Sequence, residues 1–290
     1  MNRIGIHALV WAGSWGATEC EHAIASSKEA GYDLIEFPVF QPQTMDIGTI
    51  QRSLADHELG ATCSLGLGFH NDINSADPET VRRGERTLND ALSAARDIGS
   101  PYLGGVIFSA LGPYPDMPTE AGRRNSIDVI RRLAERAAAS DITIGLEYVN
   151  RYESNLLNTA EQTLAYMDEV GAPNVVVHAD SYHMNIEEND FRTPILAAGD
   201  RLGYVHIGEN HRGYLGSGHV DFPQLFGALA ELGYDGTITF ESFSSAVVDA
   251  DLSRTLRIWR NVWTDGMDLA RQARRYIAER IEQAKVATPA

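Results

Sequence analysis

Four side chains able to grip a metal ion or move a proton stand at the ends of β-rich runs: Glu147 in IGLEYVNRYE, Asp180 in VVVHADSYHM, His206 in YVHIGENHRG and Glu241 in ITFESF. Three carboxylates and one imidazole form an oxygen-rich donor set, which suits Mn²⁺, or alternatively Mg²⁺ or Co²⁺, better than a thiol-loving metal. Gathered without a cation, the carboxylates would repel one another, raise some of their pKa values and destabilise the fold. Glu153 lies six residues after Glu147, His183 three after Asp180 and Arg212 six after His206, each in the segment leaving one of those runs. An acceptor, a switchable donor and a fixed cation make a clamp for hydroxyl and carbonyl oxygens. Taken singly, a strand-end Glu reads as a cap, His183 as a packing residue and Arg212 as a solvated loop charge. What favours a site is agreement across four consecutive runs, and that agreement depends on how the runs are arranged in space.

Eight short β-rich runs recur along the chain, RIGIHALV, DLIEF, ATCSLGL, YLGGVIF, ITIGLEYV, NVVVHAD, LGYVHIG and GTITFESF. Helical spacing of apolar residues fills stretches between them, such as 78–98, 119–139, 159–170 and 222–233, where Phe222, Leu225, Phe226, Leu229 and Leu232 mark one stripe. Asp77-Pro78 and Thr119 read as helix starts, and Gly99, Gly171 and Gly233 as stops. Strands alternating with helices, most of them apolar on both faces, imply parallel pairing with the helices outside. Eight units in about 250 residues is the arithmetic of an α/β (β/α)₈ TIM barrel, which carries its active site at the carboxyl ends of its strands. A doubly wound open sheet could absorb most of the same units. The expectation is one barrel domain over residues 1–290. From about 252 it ends in helix, a break at 264–266, an additional C-terminal helix and a tail that frays from about 285.

The charge balance, 24 Lys+Arg against 40 Asp+Glu for a net −16, repels polyanions and removes the attraction on which nucleic-acid binding depends. A small neutral or cationic molecule is the expected partner. No run approaches the roughly 20 apolar residues of a membrane span. The opening MNRIGIHALVW lacks the features of a secretory signal, so a cytoplasmic location is expected. Cys20 and Cys63 lack CxxC spacing and read as reduced structural residues. HRGYLGSGH is glycine-rich without a Walker ending and reads as a mobile loop. His7, Glu36 and His70 fall near strand ends, where they line the pocket or cap it, and His178 reads as structural.

The motifs LEYVNRYESNLLNT, HADSYHMNIEE, YVHIGENHRGYLGSGHVDF and FESFSS, with IWRNVW near the end, resemble the ketose 3-epimerases of the D-tagatose, D-allulose (psicose) and L-ribulose type, within the xylose-isomerase-like barrels. The resemblance spans nearly the whole chain. It implies that Glu147, Asp180, His206 and Glu241 bind one divalent metal, often Mn²⁺, that Glu147 and Glu241 are the two acid/bases, and that Glu153, His183 and Arg212 hold the carbonyl end of a free ketose. Phe243 matches an aromatic wall of the family pocket, and a homodimer or homotetramer is implied. ADSYHMN stands where LDTFHMN or LDTYHMN is usual, and Leu111 in FSALGP stands where several relatives have tryptophan, at the sugar's far end. Inversion at C3 demands two carboxylates, one to take a proton and one to return it from the opposite face. The same rim could run a lyase reaction, as in inosose dehydratases. A metal-dependent endonuclease reaction would need several histidines and a basic groove, and fits least.

Overall fold

Each β-rich run becomes a strand because the helix after it covers the strand's apolar residues. Residues 2–248 and 250–287 are described by a computed structural model. The first half runs β1 (Ile4–His7), α1 (Ala17–Glu29), β2 (Leu34–Pro38), α2 (Ile47–Asp56), β3 (Gly60–Leu67), α3 (Pro78–Ile98), β4 (Tyr102–Ala110) and α4 (Glu120–Ala138). The second half runs β5 (Thr143–Glu147), α5 (Ala160–Val170), β6 (Val175–Asp180), α6 (Ser181–Glu187), α7 (Arg192–Ala198), β7 (Leu202–Ile207), α8 (Phe222–Leu232), β8 (Thr237–Phe240), α9 (Ala250–Thr255) and α10 (Gly266–Ala287). All eight strands are parallel, each pairs with its sequence neighbour, and β8 returns to β1 through Ile4↔Ile238 and Ile6↔Phe240. The sheet is a closed (β/α)₈ barrel, and the open-sheet alternative falls with that last pairing.

Local chemistry sets the helix boundaries where the sequence marked them. The Asp77 carboxylate accepts from the backbone N–H groups of Glu79 and Thr80, and Thr119 Oγ1 from that of Gly122, which satisfies donors that the first helical turn leaves free. Gly99, Gly171 and Gly233 end α3, α5 and α8 in the left-handed region, at φ 86°, 70° and 70°. The C-terminal region differs from expectation. Its break covers 256–265 and not three residues, because Trp263 turns inward and donates from Nε1 to Ser242 Oγ at 2.8 Å, which holds the chain across the barrel mouth. The additional helix α10 is tied back to the turn between α1 and β2 by Tyr32, whose hydroxyl donates to the Ala270 carbonyl at 2.8 Å. It continues to Ala287, past the expected onset of fraying, and 288–290 lie outside the described residues. Among the described residues, no helix is long and apolar enough to cross a membrane.

The barrel's middle layer is polar, and the two-residue step of a strand explains how it relates to the candidate site. Gly145 lies one step below Glu147, His178 below Asp180, Tyr204 below His206 and Thr239 below Glu241. Tyr102 fills the space at Gly145, where a Cβ would fall 1.8 Å from its hydroxyl. That hydroxyl meets His178 Nδ1 at 2.9 Å, while its ring stacks on Tyr204 with centroids 4.2 Å apart. His178 belongs to this layer, and one of its ring nitrogens also comes within 4.8 Å of ligand atoms of Glu147 and His206.

Candidate active site

The ends of β5 to β8 bring Glu147, Asp180, His206 and Glu241 together, with one ligand atom from each within 4.8 Å of all the others. All four are buried. Asp180 serves two neighbours through two oxygens. Oδ1 accepts from the Tyr182 backbone N–H at 2.7 Å and caps α6. Oδ2 accepts no hydrogen bond, and its nearest cation is Arg212 Nη1 at 3.2 Å. The capping role and the site role thus coexist in one carboxylate. His206 turns Nδ1 toward Glu147 Oε1 at 3.3 Å and Glu241 Oε1 at 3.5 Å.

Three polar side chains close over this group. His183, on α6, receives hydrogen bonds at Nδ1 from the Asn150 backbone N–H (3.1 Å) and side-chain amide (2.8 Å). Its Nε2 therefore faces Asp180 at 3.6 Å and Glu147 at 4.0 Å. Glu153 accepts from the same Asn150 amide at 3.0 Å. Arg212 pairs through Nη1 with Glu241 and lies between Tyr182 and Phe243, its guanidinium carbon 4.0 and 5.0 Å from their ring centres. Such stacking on aromatic faces suits the planar guanidinium and restricts its movement. His7, Glu147, Glu153, His183, Arg212, Glu241 and Phe243 then line an open cavity, together with apolar side chains that include Val106, Leu111, Val149 and Leu256.

Burial and charge set the carboxylates apart. Burial pushes Glu147 up to about 8 against the opposing pull of His206. Burial likewise raises Asp180 to about 6, although Arg212 opposes it. Burial acts on Glu241 in the same sense, but Arg212, His206 and His7 together outweigh it and hold that carboxyl below its ordinary range. Burial dominates for Glu153, whose pKa is raised, and for His183, which is kept neutral well below its ordinary value. His206 goes the other way: burial would lower it, but Glu36, Glu241 and Glu147 raise it well above the usual imidazole value.

Three sequence-based expectations need correction. Glu36 neither lines the pocket nor caps it, since it is fully buried under His206 and accepts from Nε2 at 2.8 Å. His70 is exposed and borders a wider outer groove with Phe69, because the 3₁₀ turn Phe69–Asn71 carries it outward; His7 does line the cavity. The glycine-rich segment after β7 is not a free loop. Fully buried Glu209 organises it, Oε1 accepting from the backbone N–H groups of Asn210 and Val220, both at 3.1 Å, and Oε2 from that of Gly216 at 2.9 Å. Glu209 escaped sequence reasoning, as did Asn150, Tyr182 and Trp263. The available signals were proximity to recognised residues, as for Tyr182 beside His183, and membership of the quoted motifs, as for Trp263 at the end of IWRNVW.

The family model described as xylose isomerase-like TIM barrel matches residues 24–280. The ketose 3-epimerase of Arthrobacter globiformis is 47% identical over 98% of this chain and 98% of its own. The L-ribulose 3-epimerase of Mesorhizobium japonicum is 44% identical over 98% of this chain and 96% of its own. The crystal structure of D-allulose 3-epimerase from Methylomonas sp. in complex with D-allulose superposes with a TM-score of 0.95, at 49% identity, over 96% of this chain and 97% of that one. The chain belongs to the ketose 3-epimerase family of xylose isomerase-like barrels. It is accordingly an enzyme of the isomerase class. For a ketose 3-epimerase the arrangement is chemically apt, with two carboxylates three strands apart on the ring and both polar and apolar side chains lining the cavity.

Proposed function

We propose that the enzyme inverts C3 of free ketoses of the D-allulose/D-fructose, D-tagatose and L-ribulose type, with Glu147 and Glu241 as the two acid/bases. The observation that carries this reading is that both carboxylates, from strands three apart on the ring, line one cavity together with Glu153, His183 and Arg212. Without a bound cation, burial raises Glu147 while Arg212 holds Glu241 below its ordinary range, so the two carboxyls sit in opposed electrostatic environments. An acid and a base of the same residue type, driven apart by environment, are what deprotonation on one face and reprotonation on the other require.

The donor set fits a divalent metal ion. Three carboxylates and an imidazole converge, Asp180 Oδ2 is buried without a hydrogen bond, and His206 has one ring nitrogen occupied and the other facing the carboxylates. Glu147, Asp180, His206 and Glu241 would hold it, and an oxygen-rich set favours Mn²⁺, with Mg²⁺ and Co²⁺ as alternatives. When bound, such an ion supplies Lewis-acid stabilisation of the negative charge that builds on the carbonyl oxygen as the C3 proton leaves. Glu153, His183 and Arg212 grip the carbonyl end of the sugar through an acceptor, a neutral imidazole and a fixed cation. Phe243 supplies the wall on which that end rests. Among the described residues, Arg212 is the sole lysine or arginine lining the cavity, which supports a free sugar over a sugar phosphate. We also take the enzyme to be a homodimer or homotetramer on family resemblance, which sedimentation will test.

Glu147→Gln and Glu241→Gln should each abolish epimerisation while leaving the circular dichroism spectrum unchanged. The assay is sugar chromatography after incubating chelated and Mn²⁺-restored protein with D-fructose, D-allulose, D-tagatose and L-ribulose. Wild-type turnover in either variant would overturn the acid/base assignment. A dehydrated product in place of the C3 epimer would move the enzyme to the lyase class.

A further inference from the structure

Beneath the candidate metal ligands, one strand that supplies no ligand still reaches the site. Glu36 projects from β2 into the barrel, fully buried, in direct contact with His206 and Tyr204. Its Oε2 accepts from His206 Nε2 and from the Tyr204 hydroxyl, both at 2.8 Å. The Tyr204 hydroxyl also lies 2.8 Å from Thr62 Oγ1 and 2.7 Å from Thr239 Oγ1, so the hydroxyl that donates to Glu36 is itself held from β3 and β8. Glu36 Oε1 has no hydrogen-bond partner, and its nearest basic neighbour is His7 Nε2 at 3.8 Å.

A buried carboxylate is costly unless paired, so this position needs a reason. The direction of the His206 contact supplies one. With Nε2 donating to Glu36, the proton of a neutral imidazole stays on Nε2 and the lone pair stays on Nδ1, the atom that faces Glu147 and Glu241. A flipped ring would fill the same space but turn ring carbon toward Glu36 and toward the carboxylates, so the hydrogen bond to Glu36 selects the orientation.

We propose that Glu36 is a positioning residue that locks the tautomer and ring orientation of His206, presenting Nδ1 to the divalent cation. The inference rests on the metal reading above and extends it to a residue that touches neither ion nor sugar. Carboxylate partners of metal-bound histidines raise ligand basicity, and removing one costs roughly 10- to 100-fold in metal affinity.

The test is Mn²⁺ titration of the chelated protein, followed by the paramagnetic resonance signal of free Mn²⁺. Glu36→Gln preserves shape but removes the charge and can turn a donor toward Nε2, and its affinity should fall about tenfold. Ser126→Ala is the control. It deletes a buried hydroxyl bonded at 2.6 Å to the Phe108 carbonyl, away from the site, so it should lower thermal stability and leave Mn²⁺ affinity within threefold of wild type. In ¹⁵N-labelled wild-type protein loaded with diamagnetic Mg²⁺, the His206 ring proton should be on Nε2. A loss of less than threefold in Glu36→Gln, or a ring proton on Nδ1, overturns the proposal. If Glu36→Gln fails to fold, Glu36→Asp, which withdraws the carboxylate by about 1.5 Å, carries the same prediction and threshold. Failure of the wild type to bind Mn²⁺ would instead overturn the metal reading, so the two failures are distinguishable.

Discussion

Replacing Glu209 by Gln tests whether a residue outside the cavity sets the position of Arg212. The carboxylate accepts three backbone N–H groups that no other acceptor in the loop is placed to satisfy. An amide keeps one acceptor oxygen. If that oxygen retains Asn210 and Val220, the new NH₂ faces the Gly216 N–H, so one charge-assisted bond is lost and two are weakened to neutral strength. At about 1.5–3 kcal/mol for the lost bond and roughly 0.5 kcal/mol for each weakened one, the cost is about 3 kcal/mol. Arg212 shares the loop, its N–H donating to the Glu209 carbonyl at 2.9 Å, and its backbone has φ 59°, a left-handed conformation that an arginine adopts only when its surroundings impose it. A loosened loop should therefore release the guanidinium, and losing about 1.4 kcal/mol of sugar binding raises KM about tenfold with a smaller change in kcat. Urea unfolding reads the first effect and steady-state epimerisation of D-allulose the second. A Glu209→Gln enzyme with wild-type unfolding midpoint and wild-type KM would refute the reasoning.

Three further outcomes are expected. In protein stripped of divalent ions, burial raises Glu147 to about 8 from an ordinary 4.5, so the folded state keeps a proton that the unfolded chain gives up. That contribution, complete below about pH 4.5, is lost as pH rises through 8; urea stability should fall by about 1 kcal/mol from Glu147 between pH 7 and 8.5, and saturating Mn²⁺ should abolish the fall. His206, also raised, acts in the same sense, whereas lowered His7, His178 and His183 affect stability only as pH drops toward and below about 6.5; chelated protein that gains stability from pH 7 to 8.5 would contradict this. Gly105→Ala should cost about 3 kcal/mol or more in urea unfolding, because φ is 104° and the added Cβ would lie 2.3 Å from the Leu65 carbonyl oxygen; a loss under about 1 kcal/mol would show that β3 yields. Trp263→Phe removes the donor to Ser242 Oγ, which itself donates to the Arg212 carbonyl at 2.5 Å. It should cost about 1 kcal/mol and raise KM several-fold, and an unchanged KM would separate the linker from the site.

Much of this protein is legible in its sequence because the determining interactions are local or periodic. Eight apolar runs, capping Asp77 and Thr119, and the glycines at 99, 171 and 233 specify strands and helix ends within a few residues of where they form. Strand-end acids and a strand-end histidine specify a site because a parallel barrel sends every strand's carboxyl end to one rim. Tertiary structure alone decided the rest. That β8 closes on β1, that Glu36 lies one layer too deep to meet a sugar, and that Glu209 folds the Arg212 loop all depend on contacts between residues far apart or on the depth at which a side chain emerges. So does the contrast between the environments of Glu147 and Glu241. Identical side chains acquire opposite proton affinities only when folding buries one beside a weaker set of cations and places Arg212 against the other. Sequence spacing encodes neither depth nor dielectric, and those two quantities set the two carboxyls apart here.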